Sequence, residues 1–253
     1  MRQAPDPFAK AFAWSYSRLK NFETCPFRHL KVDLLREIKE PESDALLWGN
    51  YLHNAMAKAI GTDDNDKRQP RDRIVQTPLP ADMAHYQHWV DYISASRAKG
   101  ATVLTECALA MTRDFAPCEW FSPAAWYRAK VDVLVLSPGV NVAATYDWKT
   151  GKRLDDSPQL AMTALLLFAH YPTLEGVRAE FVWCKDMPLD REGMLRSVDR
   201  TLFKRSDQAA IWNGLAGRVR NLEGAFIERK FEPLPSGLCR RWCPVTSCAH
   251  HGQ

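Results

Sequence analysis

YRAKVDVLVLSPGVNVAATYDWKTGKR, residues 127–153, decides the fold. Two apolar, β-branched runs flank Ser137-Pro138-Gly139, a pattern that predicts an antiparallel strand pair closed by a turn. Asp132, Asp147 and Lys149 interrupt these runs, where a buried strand should carry no charge. Strand side chains alternate, so Asp147 and Lys149 share one face while Tyr146 and Trp148 share the other. Asp132 opposes the face formed by Val131, Val133 and Val135, and a short turn lets the two aspartates converge. Two uncompensated carboxylates are costly to bury and require protonation, pairing or a cation. A hard divalent ion takes oxygen ligands and retains water. An ammonium two residues along can orient that water and stabilise charge growing on a phosphate. This is the equipment of phosphodiester hydrolysis. The bland alternative is an exposed Asp–Lys ion pair on an edge strand.

Outward from this hairpin, the pattern alternates between strand and helix. TVLTECALAM (102–111) and VRAEFVWC (177–184) read as strands, and MLRSVDRTL (194–202) as a further one. SPQLAMTALLLFAHYP (157–172) is a helix of crossover length, so the strands on either side of it are expected to be parallel. DMPLDREG (186–193) reads as a hairpin loop, and Ser206 as the start of a long helix reaching about Arg229. On the N-terminal side, SYSRLKNFETCP predicts a short helix stopped at Pro26. LLWGNYLHNAMAKAI places Leu52, Ala55, Met56, Ala59 and Ile60 on one apolar face, with His53 off it. Residues 61–73 read as a polar loop. ADMAHYQHWVDYISASRAKG reads as one helix with Tyr86, Trp89, Val90 and Ile93 inward and Gly100 as its stop. The expected architecture is α/β: a mixed sheet flanked by helices, within one domain spanning 1–253. Its parts are a helical segment over 1–100, a core over 101–205, and a helix with a cysteine-bearing tail over 206–253.

The 253 residues, 46% hydrophobic and 25% charged, suffice for a packed core. No apolar run approaches the ~20 residues that cross a bilayer, and no stretch has signal-peptide order, so a cytoplasmic protein without a membrane partner is expected. A net charge of +4 mildly favours a polyanionic partner.

The motifs, in order, resemble the PD-(D/E)XK nuclease superfamily, most closely RecB/AddB-type exonuclease domains. SYSRLKNFETCPFRHL is similar to the family's N-terminal Ser-x-Ser-x-Leu…Cys-Pro segment, and WGNYLHNAMAKAI to its Gly-x-x-x-His helix through Gly49 and His53. KVDVLVL and YDWKTGK match the two acidic strands, with Asp132, Asp147 and Lys149 in the motif positions. SPQLAMTALLLF resembles the Gln-x-x-x-Tyr helix, with Gln159 in place and Thr163 where tyrosine is usual. The resemblance implies a restriction-endonuclease-like core and metal-dependent hydrolysis of DNA with Mg²⁺ or Mn²⁺. Asp132, Asp147 and the Trp148 carbonyl would be metal ligands. His53 would be a further ligand or would tune the attacking water. Lys149 would position that water, and Gln159 would hold the DNA backbone or the lysine. Glu106 would add a carboxylate, or simply form a salt bridge. The partner is then single- or double-stranded DNA. The absence of helicase motifs suggests a stand-alone exonuclease of recombination, repair or phage DNA metabolism, working beside a single-strand-annealing or replication partner. No self-association signal stands out.

Seven cysteines invite a separate reading. Cys107, Cys118 and Cys184 look like small core residues. Cys239, Cys243 and Cys248 cluster in GLCRRWCPVTSCAHHG, and the distant Cys25 also precedes a proline. The resemblance implies a [4Fe–4S] clasp from these four. The unusual spacing leaves zinc, with His250 or His251 as an alternative ligand, or free thiols. Two other functions stay open: a catalytically silent nucleic-acid-binding module, and a redox or metal sensor built on the tail.

Overall fold

The computed structural model describes residues 6–40, 42–63, 75–154, 157–186 and 197–253. Most of the polar loop expected at 61–73 and of the hairpin loop expected at 186–193 lies outside them. Among the described residues, six strands form one sheet: β1 (Thr102–Met111), β2 (Pro117–Cys118), β3 (Tyr127–Leu136), β4 (Val142–Lys149), β5 (Gly176–Trp183) and β6 (Val198–Lys204), in the order β2-β1-β3-β4-β5-β6. β3 and β4 pair antiparallel with Val133 opposite Tyr146, and β5 and β6 also pair antiparallel. β4 and β5 run parallel, as their crossover helix requires. The sheet is therefore mixed. Only the two-residue strand β2 lacked a sequence signal.

Among the described residues, five helices of eight residues or more accompany the sheet, α1 (Tyr16–Thr24), α2 (Asp44–Ile60), α3 (Gln87–Ser94), α4 (Ser157–His170) and α5 (Gln208–Glu228), beside a single helical turn at Pro26–His29. The chain clusters into two units, one of Met1–Glu42, Ala110–Arg128 and Trp212–Gln253, the other of Ser43–Leu109 and Ala129–Ile211.

In the second unit, α2 begins at Ser43, whose side chain accepts the Leu46 N–H, and ends at Gly61 with φ of 71°. Its apolar face joins α3 on one side of the sheet, burying Leu52, Met56, Ile60, Trp89 and Ile93 against Val133, Tyr146, Trp148 and Val182. The segment expected as one helix over 81–99 divides into a 3₁₀ stretch, Ala81–Tyr86, then α3, then a 3₁₀ turn, Arg97–Lys99. The three-residue period of the first stretch aligns Met83 with Tyr86, both buried, before α3 turns Trp89, Val90 and Ile93 inward. α4 is apolar almost all round and packs on β5. α5 starts two residues later than its serine suggested. Asp207, not Ser206, accepts the Lys204 N–H, and a 3₁₀ turn precedes the helix.

In the first unit, Ser15 caps α1 and Pro26 opens the following turn at a position where its missing N–H costs nothing. Trp14 packs edge-on against Trp126, their ring centroids 5.4 Å apart. Two bidentate pairs tie the unit across long sequence separations: Arg218 to Glu23 at 2.6 and 2.7 Å, and Arg113 to Glu223 at 2.6 and 2.8 Å.

Glu180, fully buried on β5, accepts from Arg200 at 2.9 and 3.2 Å and lies 2.9 Å from the Arg178 guanidinium. Removing the acid strands two cations. Because both arginines stay partly exposed and can rehydrate, the cost falls below that of breaking a fully buried pair. Glu180→Ala is expected to lower the unfolding free energy by about 2 kcal/mol, read from the urea midpoint.

Candidate active site

β3 and β4 pair through Val133–Tyr146, Leu134–Thr145 and Val135–Ala144, and Asp132 and Asp147 are the residues next to the first of these pairs. The Trp148 N–H donates to Asp132 Oδ2 at 2.9 Å. His53 comes from α2. Its Nε2 lies 3.0 Å from the Trp148 carbonyl oxygen, and its Nδ1 lies 3.3 Å from Asp132 Oδ2 and 4.0 Å from Glu106 Oε1. Gly49, one turn before His53, permits this approach: a Cβ there would sit 3.2 Å from Thr150 Oγ1. Burial alone would lower the His53 pKa, but the carboxylates of Asp132, Asp147 and Glu106 outweigh it and raise the value.

Glu106 occupies a left-handed conformation in the middle of β1, with φ of 50°. That costs a non-glycine residue about 1 kcal/mol or more. Its carboxylate lies 3.0 Å from Lys130 Nζ as well as near His53, so both roles open to it in the sequence have a geometric counterpart.

The second half of the site is a closed triangle. Asp147 Oδ1 is 2.7 Å from Lys149 Nζ, Asp147 Oδ2 accepts from Gln159 Nε2 at 2.6 Å, and Lys149 Nζ donates to Gln159 Oε1 at 2.9 Å. Gln159 stands in the first turn of α4. Lys149 Nζ also sits 4.7 Å above the Phe181 ring on β5, a cation–π contact. Burial pushes the Asp147 carboxyl up to about 6, and the Asp132 charge pushes the same way against the lowering effect of Lys149. Thr163 donates to the Gln159 carbonyl at 3.2 Å, so its hydroxyl is turned into its own helix.

Among the described residues, His53, Glu106 and Asp132 present ligand atoms all within 4.8 Å of one another. One imidazole and two carboxylates, beside the Trp148 carbonyl, suit Mn²⁺ or Mg²⁺. Asp147 stands across from this set with both oxygens engaged by Lys149 and Gln159. Phe181 was not legible in the sequence, because it meets Lys149 only through the register of the parallel β4–β5 pair.

In the other unit, Cys25, Cys239, Cys243, Cys248, His250 and His251 line one small cavity. All seven cysteines are free of disulfides. Backbone N–H groups of Leu234 and Ser236 point at the sulfurs of Cys25 and Cys239, each at 3.4 Å.

The family model of the PD-(D/E)XK nuclease superfamily matches residues 13–248, and the chain belongs to that superfamily. Its mixed, helix-flanked sheet is the restriction-endonuclease-like core expected of such a protein. No curated protein matches the chain. A solved structure described as a "Putative exonuclease" from Eubacterium rectale is 15% identical, covering 96% of this chain and 92% of that one with a TM-score of 0.49. No helix among the described residues is long and apolar enough to cross a membrane.

Titration with Mn²⁺ by calorimetry tests the ligand set. His53→Ala and Asp132→Asn are each expected to weaken binding by about tenfold or more. Asp199→Asn, which alters an acid held by Arg153 and Trp183, should leave binding unchanged.

Proposed function

We propose that the chain is a divalent-metal-dependent deoxyribonuclease acting as an exonuclease. The observation that carries the reading is the adjacency of a three-ligand set, His53, Glu106 and Asp132, to the Asp147–Lys149–Gln159 triangle. His53, Glu106 and Asp132, beside the Trp148 carbonyl, would hold the ion, and Asp147 would be released toward it only by giving up a bond to Lys149 or Gln159. When bound, the ion supplies Lewis-acid stabilisation to the phosphate and acidity to a water molecule. Lys149 holds the attacking water and balances the charge of the pentacovalent phosphorus. Gln159 fixes the ammonium so that no reorganisation is needed as that charge grows. Superfamily membership supports a nucleic acid substrate. The likeness of the motif set to RecB/AddB-type domains supports DNA, exonucleolytic cutting, and a place in recombination, repair or phage DNA metabolism.

End-labelled single- and double-stranded DNA incubated with Mg²⁺, Mn²⁺ or EDTA tests this. Metal-dependent degradation from the ends is expected, reduced about 10²- to 10³-fold in Lys149→Ala and at least as far in Asp147→Ala. A closed circular substrate cut as fast as a linear one would reject the exonuclease assignment. Retention of DNA without cleavage would point to the silent binding module.

We also infer that Cys25, Cys239, Cys243 and Cys248 hold a structural [4Fe–4S] cluster. The four thiols share one cavity, and two of the sulfurs receive backbone N–H groups, as metal-bound thiolates do. A four-thiolate zinc site, with Zn–S near 2.3 Å, would draw its sulfurs to within about 4 Å of one another. Among the described residues, the thiols are not among the sets grouped within 4.8 Å. A cuboidal cluster holds its ligands further apart. Anaerobically purified protein should be brown and contain iron and acid-labile sulfide, and Cys25→Ser should be colourless and melt lower. Stoichiometric zinc in place of iron, or an unchanged melting temperature in that variant, would overturn the cluster.

A further inference from the structure

The tail sequence Cys239-Arg-Arg-Trp-Cys243 sets three non-cysteine residues between two cysteines four apart. The backbone there is helical in its hydrogen bonding: a 3₁₀ turn over Gly237–Cys239 is followed by Trp242 N–H to Leu238 O at 3.0 Å and Cys243 N–H to Leu238 O at 2.9 Å. Residues four apart on such a turn share a face. Cys239 and Cys243 both line the thiol cavity, so Arg241 points away from it, with Arg240 and Trp242 on either flank of the turn. All three are exposed. Trp242 is 77% exposed, and the other tryptophans are buried or half-buried. An indole left in water forgoes a large apolar gain that the fold takes elsewhere with Trp14, Trp89, Trp126, Trp148 and Trp183. Among the described residues, no hydrogen bond or ion pair is found for either guanidinium, whereas Arg18, Arg113, Arg200, Arg205 and Arg218 are each engaged.

We propose that Arg240, Arg241 and Trp242 form a platform for single-stranded nucleic acid, with a base stacked on Trp242 and the two guanidiniums on adjacent phosphates. The inference rests on the nuclease reading for the identity of the partner. An exposed aromatic face and two unengaged cations presented from one turn match a chain that alternates bases with phosphates and crosses that turn, and every base has a face to stack whatever its sequence. Ser236 caps the turn through the Leu238 N–H, Cys239 O accepts from Gly252, and Val245 is fully buried.

The test is binding of a labelled oligothymidine by fluorescence anisotropy, with EDTA present so that nothing is cut. Trp242→Ala is expected to weaken binding about tenfold, and Trp242→Phe to retain most of the affinity. Arg240→Ala with Arg241→Ala should reduce the slope of log K against log salt by about 1.4, the contribution of two single-strand phosphates. A blunt duplex hides its base faces, so Trp242→Ala should change duplex binding far less. Unchanged single-strand affinity in Trp242→Ala, or an equal loss on duplex and single strand, would overturn the platform, as would a wild-type protein that binds no single strand. Melting temperatures equal to wild type certify that the variants are folded. If wild type binds and Trp242→Ala does not, yet no DNA is cut when metal is restored, the nuclease assignment fails and the platform stands.

Discussion

Asp132 and Asp147 stand close enough for the charge of one to disfavour ionisation of the other, and this repulsion is the constraint around which the site in the second unit is organised. Each carboxylate accordingly has more than one partner. Asp132 takes the Trp148 N–H and His53, while Asp147 takes Lys149 and Gln159. Even so, burial first, and the Asp132 charge after it, hold the Asp147 carboxyl raised to about 6 against the lowering effect of Lys149.

The partners are delivered by backbone geometry more than by side-chain reach. α2 passes close to the end of β4, where a Cβ at Gly49 would sit 3.2 Å from Thr150 Oγ1, and the next turn carries His53 to the Trp148 carbonyl. α4 begins just after β4, so Gln159 in its first turn meets Lys149 and Asp147 without a long excursion. Phe181 is opposite Asp147 in the parallel β4–β5 register, which places its ring beneath the Lys149 ammonium. An ammonium clamped by an amide oxygen, a carboxylate and a ring face loses little freedom when it is asked to hold a water.

The strands and their alternation were legible in the sequence because period-two burial is a local property: β1 and β3 begin and end where their apolar runs do. The parallel step was legible through the length of its crossover helix. The division of the 81–99 segment was not, since the 3₁₀ period that aligns Met83 with Tyr86 competes with a helical pattern of almost equal apolar content. In the site, Asp132, Asp147 and Lys149 stood out as charges within apolar strands. The left-handed backbone of Glu106 and the ring of Phe181 had no such mark, because both depend on where another strand lies.

The first unit poses a different energetic problem. Beyond Phe231 the tail contributes a single buried hydrophobic residue, Val245, whose burial is worth about 2 kcal/mol. Ordering the backbone of a tail this long costs on the order of 20 kcal/mol. The turn hydrogen bonds from Cys239 to Gln253 recover part of that, but each replaces a bond to water and nets about 1 kcal/mol. Apolar packing therefore falls well short of holding the four cysteines around one cavity. Thiolate–metal bonds, worth roughly 10–16 kcal/mol in small structural sites, have the magnitude to close the difference.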